Sequence, residues 1–148
     1  MKLFTIIITL FIAKGCTEFK DLEHLNVKYV AETRGYYFAV KIENKKFFVI
    51  KTRNGKANEI LLTKQQWSAL AKSFNAIDLV NFKNLIGPTH ERDYDKRPFG
   101  NLFITKEDKT IETKGFDHTI PPKEIKPFVD LMLSYAKNNY RGRYLATY

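Results

Sequence analysis

The sequence predicts an α+β domain: an antiparallel sheet of two hairpin units with two main helices packed on one face, after a cleaved signal peptide. Three observations carry this. Residues 36–43 alternate, with Tyr36, Phe38, Val40 and Ile42 on one parity and Tyr37, Ala39, Lys41 and Glu43 on the other, the period-two signature of a strand. Thr63-Lys64-Gln65-Gln66 matches a capping box, and Trp67, Leu70, Ala71 and Phe74 follow at helical spacing. A short apolar leader after Met1-Lys2 has the layout of an export signal.

The chain has 148 residues, 44% hydrophobic and 28% charged, which suits one globular domain and excludes a disordered, collagen-like or multi-span membrane chain. The apolar run over residues 3–13 spans roughly 16 Å as a helix, about half of a bilayer core, so it is too short to cross. Ala13 and Gly15 supply the small residues of a cut site ahead of Cys16, giving a signal peptide over residues 1–15. Ile12-Ala13-Lys14-Gly15-Cys16 resembles the lipobox of bacterial lipoprotein precursors. That resemblance implies cleavage before Cys16 and a diacylglycerol on its sulfur. Cys16 is the only cysteine, as expected where the residue carries lipid and no disulfide is made. The same Ala-x-Gly spacing also fits the ordinary signal peptidase, whose product would be a secreted soluble form. Thr17 is not the Asp that marks inner-membrane retention in some bacteria, which points to the outer membrane.

Residues 16–26 read as a lipidated polar tether, residues 27–136 as the single α+β domain, and residues 137–148 as a basic, Tyr-rich tail. Within the domain, residues 27–33, 36–43, 47–53 and 57–62 are strands. Parity favours a three-residue loop, Asn44-Lys45-Lys46, pairing Ile42 with Phe48, Val40 with Ile50 and Phe38 with Thr52. A two-residue loop would bring Lys51 beside Phe38 on the apolar face. Asn54-Gly55 is the stronger turn signal, because both residues tolerate positive φ. A second hairpin is expected from residues 101–105 and 110–114, around 106–109. The last helix carries Ile125, Phe128, Val129, Met132, Tyr135 and Ala136 on one stripe, with Pro127 in its first turn. This layout is similar to that of small exported lipoprotein domains of Gram-negative bacteria.

No P-loop, G-x-G-x-x-G, H-E-x-x-H or G-x-S-x-G occurs, and no cofactor is expected. The densest polar segments are residues 90–95 and Asp117-His118. If the loops converge, His90, Asp93, Asp117 and His118 are the candidate metal ligands, or an imidazole–carboxylate base. The alternative is a solvated loop whose carboxylates pair with Arg92, Lys96 and Arg97. The basic excess concentrates at Lys41, Lys45, Lys46, Lys51, Arg53 and Lys56 against Glu43. In an envelope this points to anionic headgroups or an acidic protein partner rather than nucleic acid. The expectation is a monomeric envelope lipoprotein, held to the membrane through Cys16, with a non-enzymatic partner- or surface-binding domain. Lys41, Lys51, Arg53 and Lys56 are its basic surface. The alternatives are a small hydrolase using the His90 and His118 loops and an enzyme inhibitor presenting the 86–100 loop.

Overall fold

Strand pairing and one apolar face organise the chain. The computed structural model describes residues 21–145, with side chains through Asn138; the leader and Cys16 lie outside the described residues. The strands are β1 (Asn26–Glu32), β2 (Tyr37–Glu43), β3 (Lys46–Ile50), β4 (Asn58–Ile60), β5 (Phe99–Lys106), β6 (Lys109–Glu112) and β7 (Phe116–Asp117). The helices are α1 (Lys64–Asn75) and α2 (Lys126–Leu145). Together they make the α+β fold read from the sequence. The antiparallel order is β4-β3-β2-β1-β5-β6, with β7 beside β5. The first strand therefore sits in the middle, joining a β1–β4 meander to the β5–β6 hairpin.

Alternation decides which residues are covered. Val27 and Tyr29 on β1 face Ile42 and Val40 on β2, and Ile104 and Leu102 on β5. Together with Phe47, Val49 and Ile60 they form one buried face. α1 brings Leu70 and Phe74 to it, and α2 brings Phe128, Val129 and Met132. Phe74 meets Phe128 edge-on at 5.3 Å, which locks the two helices together. The capping box is formed: Gln66 N donates to Thr63 Oγ1 at 3.2 Å, and Thr63 N donates to Gln66 Oε1 at 2.8 Å. Pro127 lies in the first turn of α2, where its missing N–H is harmless.

Several boundaries differ from the sequence expectation. The β2–β3 loop has two residues: Ile42 pairs with Phe47 and Val40 with Val49. Asn44 and Lys45 both take positive φ, 51° and 58°, as the tightest hairpin turn demands. Pairing stops at Ala39–Ile50, so Lys51 never reaches the apolar face and the parity objection disappears. At 52–55 the chain turns through a bond from Gly55 N to Thr52 O, without positive φ at Asn54 or Gly55. β4 is correspondingly shorter than residues 57–62. The second hairpin turns on Glu107-Asp108, and β6 ends at Glu112. The tether is shorter than residues 16–26, because Leu22–His24 forms a 3-10 turn and Leu22 and Leu25 are buried in the core. Past Lys137 the backbone stays helical to Leu145, although the apolar stripe ends at Ala136.

Candidate functional site

The two faces of the sheet have different fates. The helices cover one; the other lies away from them. On it, successive rows run across the strands. One row reads Glu59, Phe48, Lys41, Lys28, Phe103 and Glu112 from β4 to β6. The neighbouring row places Ile50, Ala39, Val30 and Asn101 side by side, and the next brings Tyr37, Glu32 and Phe99 together. An open cleft of about 580 Å³ lies on this face, floored by Lys28, Lys41, Asn101 and Phe103 and edged by Tyr37 and Phe99. Phe99 is 47% exposed. A face bearing aromatic rings and ammonium groups, uncovered by its own helices, has the chemistry of a recognition surface.

The basic residues named from the sequence divide on the structure. Lys41 lies within the cleft, with Glu43 at 2.7 Å. Arg53 pairs with Glu32 at 3.1 Å, donates to the Thr33 carbonyl and lies 6.0 Å from the centre of the Tyr37 ring. Lys51 and Lys56 are exposed on the 51–57 connection. Lys45 and Lys46 are matched by Glu23 and Glu59. The hairpin is therefore far less positive than its sequence count suggests. Lys28, Asn101 and Phe103 were not singled out by the sequence, although the parity of residues 26, 28, 30 and 32 against Val27, Tyr29 and Ala31 marks them as one face.

The candidate metal ligands do not converge. Asp117 is fully buried and its oxygens are occupied: Thr89 Oγ1, Glu91 N (2.8 Å), Arg92 N (2.9 Å) and Arg92 Nη1 (3.2 Å) all donate to it. Burial alone would raise its pKa, but these four donors outweigh that and lower it to about 2. His90 and Asp93 lie outside this cage, 3.7 Å apart and exposed. His118 turns elsewhere, onto Tyr29, with Tyr36 and Phe38 also around its ring. Among the described residues no group of three or more His, Cys, Asp or Glu is placed to hold a metal ion. Glu91 pairs with Arg97, which completes an internally satisfied loop rather than an open ligand set.

His118 Nδ1 lies 2.7 Å from the Tyr29 hydroxyl. The Thr119 backbone also hydrogen-bonds that hydroxyl, and the proton between Tyr29 and Nδ1 belongs to either partner according to the imidazole tautomer. Burial, and then the charge of Arg97, lower the His118 pKa below its ordinary 6.5, and burial raises that of Tyr29. A histidine that stays neutral in the fold but protonates in the unfolded chain makes stability fall as pH drops below about 6.5. Denaturant titrations at pH 8 and pH 5.5 should show this loss in the parent. In His118→Gln the loss over that interval should be smaller, and an equal loss in both would refute the assignment.

No family model, curated protein or solved structure matches the chain. Among the described residues no helix is long and apolar enough to cross a membrane.

Proposed function

We propose that the chain is the precursor of a lipid-anchored cell-envelope protein whose domain binds a partner through the bare face of its sheet. The supporting observation is the cleft on that face, lined by ammonium groups and aromatic rings. The leader and Cys16 supply the expected address. With Leu22 already packed in the core, the six residues from Cys16 to Asp21 reach at most about 22 Å, so the domain would ride close to the lipid surface. The hydrolase alternative loses support, because the His90 and His118 side chains engage different surroundings. The inhibitor alternative retains one observation: the Asp117 cage fixes the 86–100 loop from beneath while Tyr94 stays 76% exposed.

Two measurements test the proposal. Intact-mass analysis of protein extracted from native membranes should show a chain beginning at Cys16 and carrying acyl mass. An unmodified thiol, or a retained Met1, would overturn the address. A photo-crosslinking residue placed at Phe99 should capture a discrete envelope component, whereas one at Ser68 on the helical layer should not. Equal capture at both positions, or none at Phe99, would overturn the recognition face.

A further inference from the structure

Two ammonium groups stand opposite each other in the middle of the bare face. Lys28 on β1 is in register with Lys41 on β2. Facing Cβ atoms in an antiparallel pair are ~4.5–5.5 Å apart, and like charges so placed are destabilising. Lys41 has Glu43 for partial relief. The Lys28 side chain is half-buried and has no hydrogen bond or ion pair among the described residues. Beyond Lys28 in the same row lies Phe103, and beyond Lys41 lies Phe48. The fold thus keeps a repulsive pair in a cleft, between aromatic rings, where an apolar residue would stabilise the sheet.

We propose that Lys28 and Lys41 form an anion seat, and that its ligand is a small soluble phosphate monoester with a flat apolar body. The inference deepens the recognition face proposed above and rests on it. A phosphate monoester is mostly dianionic near neutral pH, matching two adjacent ammonium groups. Its body would lie on Phe103 towards Phe99. The cleft, at about 580 Å³, is the size of small-ligand sites. Two carboxylates line it, Glu32 held by Arg53 and Glu43 by Lys41. That rim admits one compact dianion and repels an extended polyanion such as nucleic acid. The seat lysines also lie mid-sheet, on β1 and β2, whereas Lys51 and Lys56 are exposed on the 51–57 connection.

The test uses the purified mature protein, with phenyl phosphate, inorganic phosphate, and phosphatidylcholine vesicles containing phosphatidic acid as probes. Phenyl phosphate should bind saturably and raise the melting temperature. Lys28→Met should weaken binding by about tenfold or more, through loss of one charge-assisted contact, while raising the melting temperature of the ligand-free protein. Phe103→Leu should weaken phenyl phosphate but leave inorganic phosphate unchanged. Should Lys28→Met fail to fold, Lys28→Gln carries the same comparison. Equal binding by parent and both Lys28 variants would overturn the seat, as would the absence of saturable binding. Lys28-dependent binding confined to vesicles would overturn the soluble source. Capture at Phe99 without a phosphate response removes the anion seat and leaves the recognition face standing; a Lys28-dependent phosphate response without capture keeps the face as a small-ligand site and removes the envelope partner.

Discussion

Asp117→Ala should lower the unfolding free energy by about 3–4 kcal/mol, the largest single-residue loss expected outside the apolar core. The carboxylate accepts from Thr89 Oγ1, from two backbone N–H groups and from the Arg92 guanidinium. Its removal leaves those amides unpaired and takes the buried carboxylate from a nearly buried guanidinium, which keeps only the Thr89 carbonyl, Asp93 and His90. Asp117→Asn should cost less, because the amide keeps the shape and one acceptor oxygen. Urea titration at pH 7 checks both variants, and a loss below about 1 kcal/mol in the alanine variant would refute the cage. The sign with pH follows from the lowered pKa. The ionised group's contribution is complete above its ordinary 3.8 and is lost as pH falls towards about 2, amounting to roughly 2 kcal/mol. This acid step lies well below the one assigned to His118, so the two can be separated by titration.

Gly100→Ala should destabilise the domain by about 2–3 kcal/mol through overpacking. A Cβ at Gly100 would lie 2.8 Å from the Phe116 ring, and one at Gly87 would lie 2.7 Å from Phe116 Cβ. Phe116 is fully buried and hemmed in on both sides, so it has no direction in which to yield. The expected compensation is specific: Phe116→Leu, itself destabilising, should reduce the cost of adding Gly100→Ala. Strictly additive losses in the double variant would show that the methyl clashes elsewhere. Because Phe116 precedes Asp117 on β7, a displaced ring would also strain the Asp117 cage. The 86–100 loop should then exchange amide hydrogens faster in Gly100→Ala.

The sequence made the fold class legible where periodicity was one-sided. Residues 37–43 alternate cleanly, and the capping box at Thr63 announced α1 from a local rule that tertiary packing did not override. The β2–β3 register was not legible in the same way. Phe47, Phe48, Val49 and Ile50 are all apolar, so either parity buries a good face and the pattern carries no phase. The turn decided instead, with Lys45 adopting positive φ and pairing with Glu23 at 2.5 Å. The end of α2 is not legible for a related reason: apolar periodicity reports burial, and the backbone stays helical to Leu145 after the stripe stops at Ala136.

The candidate site was only partly readable. Sequence proximity singled out Asp117 and His118 as a pair, but one side chain enters the cage and the other binds Tyr29. Spacing alone does not reveal such a split, nor does it identify which acidic residue is buried. Lys28 is not legible in the sequence, because a single lysine in a strand signals nothing; its meaning arises from Lys41 across the pairing, set by a register that only the fold defines. The exposed charges count for less than their sequence density suggests, since Glu23, Glu32 and Glu59 reach Lys45, Arg53 and Lys46 from other elements.

The central position of β1 has a consequence for biosynthesis. Its second flank is supplied by residues 99–106, about seventy positions later. A growing chain that has passed only its first hundred residues leaves one edge of that strand unzipped and lacks the whole of α2. Closure must wait until translation is nearly finished. A polypeptide that closes this late leaves a strand edge open through most of its own synthesis.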